Sequence, residues 1–86
     1  MNEAKRKQNE QTFETWTDTA TGGRRYWYDV KGRFGWKARY LKEVDREETT
    51  LSFWQEIYNE EGKLVEVHRK YPVDLGHTLP DGTEKP

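Results

Sequence analysis

Turn signals cut the middle of this chain into short pieces of nearly equal length. "TGG" at 21–23, "KGRFG" at 31–35, "DREE" at 45–48 and "NEEG" at 59–62 recur at roughly ten-residue spacing. Between them lie runs rich in aromatic and β-branched residues, at 13–18, 24–30, 36–44, 51–59 and 63–71. Pieces this short leave no room for a long amphipathic helix, and each suits a strand. The pattern predicts an all-β fold: a five-stranded antiparallel meander sheet, able to curl into a small open barrel.

The ends read differently. Residues 1–11 are charged and amide-rich without apolar periodicity, and Asn9-Glu10-Gln11 offers no strong helix cap, so this segment is expected to be a polar tail. Residues 12–77 form the single expected domain. Residues 78–86 read as a flexible C-terminal tail, part of a stretch from Pro72 onward that holds three prolines and two glycines. The piece 72–77 carries Val73 and Leu75, and the sequence leaves open whether it docks on the sheet.

Composition limits the core. Leu, Ile, Val and Phe together supply 14 of 86 residues, a fraction seen in disordered chains when net charge is also high. Net charge here is only -1, and four Trp and five Tyr can replace the missing aliphatics with large buried rings. Cysteine is absent, which removes disulfides and thiolate chemistry. His68 and His77 lack a metal-ligand spacing, and "DLGH" (Asp74 and His77) is a weak zinc signal, so no metal and no cofactor are expected. No segment is apolar enough for a leader or a membrane span, which predicts a cytoplasmic protein without a membrane partner.

Register follows from the turns. "NEEG" suits a type I turn with Gly62 in the left-handed conformation, which sets Asn59 opposite Lys63. Counting outward places Leu51, Phe53, Gln55, Ile57, Val65, Val67 and Tyr71 on one face. The other face receives Trp54, Glu56, Tyr58, Leu64, Glu66, His68 and Lys70. The preceding hairpins add Tyr26, Tyr28, Val30, Trp36, Ala38 and Tyr40 to the apolar face, with Trp27, Asp29, Lys37 and Arg39 opposite. The first run, with Phe13 and Trp16, cannot be assigned to a face. An apolar sheet face must be covered, by barrel closure, by the termini or by a second copy.

The polar face carries the candidate binding residues Trp27, Lys37, Arg39, Trp54, Glu56, Glu66 and His68. Counting sets Asp29 opposite Lys37, Lys37 opposite Glu56, Arg39 between Trp27 and Trp54, and Trp54 opposite His68. Ordinary cross-strand ion and cation–π pairing accounts for all of these. Glu56 opposite Glu66 is the exception, because like charges directly across a ladder are destabilising.

Three function classes follow. The leading one is a small binding module that docks a protein partner or a second copy of itself. The second is single-stranded RNA or DNA binding through residues 24–42, where seven basic residues stand against Asp29 alone and aromatic rings are interleaved. Residues 43–61 answer with seven acids and Arg46, so neutralisation within the sheet is expected. The third is metal-independent ribonuclease-like acid–base chemistry, with His68, Glu56, Glu66 and Arg39 as the catalytic candidates.

Overall fold

The computed structural model describes residues 1–85. Helix α1 (Glu3–Phe13) is followed by strands β1 (Thr15–Asp18), β2 (Arg24–Lys31), β3 (Lys37–Val44), β4 (Thr50–Tyr58), β5 (Leu64–Tyr71) and β6 (Gly76–Thr78). A single 3-10 turn, Arg33–Gly35, joins β2 to β3. The strands pair in chain order as one antiparallel meander, open at β1 and β6. The sheet therefore has six strands and does not close into a barrel.

Four of the connections use one device. Thr19–Gly23, Asp45–Thr49, Asn59–Lys63 and Leu79–Thr83 each pair the first residue's N–H with the fifth carbonyl and the fourth N–H with the first carbonyl. The fourth residue takes positive φ in all of them, and is Gly22, Glu48, Gly62 or Gly82. A type I turn with a bulge requires that conformation, and glycine supplies it without strain. At Asp45, Asn59 and Asp81 the side chain also accepts backbone N–H groups within its own turn.

The N-terminal tail expected from the sequence is a helix. Asn2 caps it, its Oδ1 accepting from the Lys5 N–H at 3.0 Å, and Glu14 ends it with φ 63. Only Asn9 and Phe13 are buried, one turn apart, so the helix has no apolar stripe to betray it. Two anchors hold it: the Phe13 ring, 5.7 Å from Tyr26 and 5.5 Å from Tyr28, and Asn9, whose Nδ2 donates to Glu48 Oε1 at 3.3 Å. The C-terminal segment is likewise ordered, with β6 pairing along β5 and Thr78 bridging to Glu84.

Helix α1 lies on the face of Tyr26, Tyr28, Val44 and Phe53, the helix face, and the small core sits beneath it. Trp16 joins this face against Tyr26 at 6.0 Å. Gly23 passes so close under β3 that a Cβ would stand 2.0 Å from the Val44 carbonyl oxygen. Among the described residues no element packs over the opposite face, the ladder face.

Candidate functional site

The register departs from simple counting in two ways. Between β2 and β3 and between β3 and β4 the pairing slips by two residues, so Asp29 lies opposite Arg39 and Arg39 opposite Glu56. An even slip keeps every side chain on its face. Trp27, Asp29, Lys37, Arg39, Trp54, Glu56 and Tyr58 therefore share the ladder face, as counted.

Strand β5 differs. Tyr58 pairs with Leu64 as expected, but an irregularity then inserts Val65, and Ile57 pairs with Glu66, Glu56 with Val67, Gln55 with His68 and Trp54 with Arg69. A one-residue shift exchanges faces. Glu66 and His68 move to the helix face, while Val67 and Arg69 join Glu56 and Trp54. The expected Glu56–Glu66 and Trp54–His68 oppositions are corrected accordingly. The bulge removes the like-charge contact that simple counting imposed on this hairpin. A second irregularity between Trp54 and Phe53 returns Tyr71 to the helix face opposite Phe53.

The ladder face is a network of cations over rings, closed by carboxylates. Arg39 bonds Asp29 through two nitrogens at 2.7 and 3.1 Å and lies over Trp27 and Tyr58 at 5.8 and 5.9 Å. Arg25 and Arg69 each stand 5.7 Å from the Trp54 ring centre. Arg25 also pairs with Glu43, and Arg69 donates to the Ser52 hydroxyl. Glu56 accepts from Trp54 Nε1 at 3.0 Å and from the Tyr58 hydroxyl at 2.6 Å. The Arg39 hydrogen bonds hold the Asp29 carboxyl below its ordinary value, with Lys37 adding to the effect. Burial, then the hydrogen bond to Glu56, push the Tyr58 phenol up to about 12.

Two histidine–carboxylate pairs lie on the other side, at the β5–β6 edge. His68 Nε2 is 2.7 Å from Asp74 Oδ1, and His77 Nδ1 is 2.6 Å from Glu66 Oε1, with Lys85 on the other Glu66 oxygen at 3.2 Å. The two imidazole centres are 4.4 Å apart. Asp74 is held below its ordinary value by the Gly76 N–H first and by His68 second. Among the described residues no three histidine, cysteine or acidic side chains converge as a metal-ligand set. Of the four catalytic candidates, Arg39 and Glu56 thus stand on one face and Glu66 and His68 on the other. The sheet separates the two pairs.

A third region was missed by sequence reading. In the β2–β3 connection Phe34 has φ 59 and Gly35 has φ 79, two successive left-handed residues. Phe34 is 88% exposed. Beside it Gly32, Phe34, Trp36, Ala38 and Ile57 line a shallow apolar cleft of about 430 Å3. A bulky residue in the left-handed region is an outlier, and one left almost wholly exposed by its own chain is doubly so. The "GRFG" string carried the signal: a phenylalanine between turn glycines with no core to enter.

The adjoining turn brings acids to this tip, since a Cβ on Gly35 would stand 3.2 Å from Glu60. Lys31 and Arg33 on one side and Glu60 and Glu61 on the other make no ion pair among the described residues, unlike most charges of the ladder face. No protein-family model matches this chain, no curated protein matches it, and no solved structure matches it.

Proposed function

We propose that this protein is a small interaction module that pairs with a second copy of itself through the tip of the β2–β3 hairpin. The observation that carries the reading is Phe34, held at positive φ with its ring in water beside an apolar cleft. Strain of about 1 kcal/mol or more needs a compensating contact, and for a ring this exposed that contact would come from outside the fold. A ring and a cleft side by side on one molecule are self-complementary: a two-fold axis at the tip lets each ring enter the other cleft.

Charge favours the same occupant. Lys31 and Arg33 of one copy would face Glu60 and Glu61 of the other, and a net charge of -1 leaves little overall repulsion between copies. Size is compatible too. With Cα extents of 41 × 25 × 20 Å, a whole sheet face offers on the order of 1,000 Å2, so a standard interface of ~800 Å2 per partner would extend from the tip along the uncovered part of the helix face. Helix α1 covers only the far end of that face.

Ion pairing weighs against nucleic-acid binding through residues 24–42. Arg25, Lys37 and Arg39 already face Glu43 and Asp29, and Arg24 pairs with Glu10.

Light scattering across a concentration series tests the proposal. The wild-type chain is expected to shift from monomer to dimer as concentration rises. Phe34→Gly, which suits the backbone at that position, is expected to stay monomeric while folding normally. A wild-type chain that stays monomeric at every concentration, or a variant that dimerises equally, would overturn it.

A further inference from the structure

Toward the other end of β3, the helix does not seal the sheet. A cleft of about 690 Å3 remains between α1 and strands β3 to β5. That volume lies within the usual range for small-molecule sites. Its apolar wall is Phe13, Phe53 and Tyr71, and its polar end is formed by Lys5, Asn9 and Lys42.

The charges at the polar end are unevenly matched. Glu48 is the one carboxylate among the lining residues, and it is already engaged by the Tyr26 hydroxyl, Asn9 Nδ2 and Arg6. Lys42 donates to Asn9 Oδ1 at 3.0 Å but has no carboxylate within ion-pair distance among the described residues, and neither has Lys5. Lys70 stands a little further along, over Phe53 and Tyr40. Burial lowers the Lys42 pKa; the Glu48 charge opposes this in part, and the nearby Lys5 charge adds to it. Two ammonium groups, that of the part-buried Lys42 and that of the exposed Lys5, therefore line the mouth of an aromatic-walled cleft. An anion placed between them would relieve their repulsion, and an apolar tail attached to it would cover the Phe13, Phe53 and Tyr71 surfaces.

We infer that this cleft is a binding site for an amphipathic monocarboxylate, with the carboxylate held by Lys42 and Lys5 and the hydrocarbon tail lying on Phe13, Phe53 and Tyr71. The hydroxyl and amide groups of Thr12, Gln8 and Thr50 rim the same cleft and offer further hydrogen bonds to the head group.

The test is a titration of the full, isotope-labelled chain with octanoate, followed by amide chemical shifts. Saturable shifts are expected at Asn9, Thr12, Phe13, Thr50 and Phe53. Lys42→Met keeps the side-chain bulk and removes the charge, and is expected to weaken binding about tenfold. Octanol, with the same tail and no charge, is expected to bind about tenfold more weakly to the wild-type chain. Shifts that never saturate, shifts confined to residues 32–38, or equal affinity for octanoate and octanol would each overturn the inference. Unchanged affinity in Lys42→Met would do the same. Should that variant fail to fold, the exposed Lys5→Gln decides: weaker octanoate binding supports the site, and unaltered binding refutes it.

Discussion

The Tyr26 hydroxyl donates to Glu48 Oε1 at 2.5 Å across the floor of the helix–sheet junction. Glu48 occupies the turn position that is glycine in the three sibling turns, and its side chain is fully buried. The backbone strain at φ 64 is offset by what the carboxylate does, which is to gather Tyr26, Asn9 and Arg6 and so tie α1 to β2. Burial first, and the Glu48 bond second, push the Tyr26 phenol up to about 12.

Replacing Glu48 separates these two effects. Glu48→Ala keeps the strain and leaves buried donors without an acceptor, for an expected loss of about 3 kcal/mol. Glu48→Gly removes the strain as well and is expected to lose about 1 kcal/mol less. Urea unfolding of the two variants measures the difference. Equal losses would show that the turn is not strained.

The tip residue Phe34 is expected to behave in the opposite sense. Phe34→Gly loses no buried contact and relaxes a left-handed backbone, so it is expected to raise unfolding stability by about 1 kcal/mol at concentrations where the chain is monomeric. Urea unfolding in dilute solution checks this against the wild-type midpoint.

Charge reversal probes the pairing of copies at the same tip. Arg33→Glu and Glu60→Arg are each expected to weaken self-association several-fold, and the double variant to recover part of the loss. Sedimentation equilibrium on the three proteins reads the effect. Unchanged affinity in both single variants would remove the charge argument.

Acid sensitivity is expected to run through Asp29. Its folded pKa lies below the ordinary 3.8, chiefly because of the Arg39 hydrogen bonds. A depressed carboxyl contributes stability that is present above its unfolded pKa and lost as pH falls through the folded value. Asp29→Asn is therefore expected to lower stability at neutral pH and to flatten the decline below about pH 4. Urea midpoints measured against pH for both proteins give the comparison.

Alkali acts through tyrosine. Tyr26 and Tyr58 have folded pKa values raised from 10 to about 12, so their contribution is intact below about pH 10 and is lost as pH climbs through 12. Tyrosinate absorbance is expected to keep rising above about pH 11. Tyr58→Phe should remove part of that late phase, and Glu56→Gln should move it to lower pH by withdrawing the carboxylate that the phenol bonds.

The sequence determined where the strands and turns lie. Aromatic and β-branched runs between turn residues locate β1 to β5, with ends that agree within a residue or two. It also determined the faces of β2, β3 and β4, because the slips there are of two residues and side chains alternate with period two. Asp29, Arg39, Trp27 and Trp54 were therefore correctly grouped although their exact partners were not.

Tertiary structure decided the rest. A single extra residue at Val65 reverses the face of Glu66 and His68, and nothing local forces a bulge at one position of an alternating strand. The helix was illegible because Asn9 and Phe13 hold it through contacts with Glu48, Tyr26 and Tyr28, residues distant in sequence, and not through an apolar stripe. Strand β6 forms because β5 offers it an unpaired edge and Glu66 a partner for His77. Local pattern sets what each segment can become. Which face a residue finally shows depends on partners that only the folded chain brings within reach.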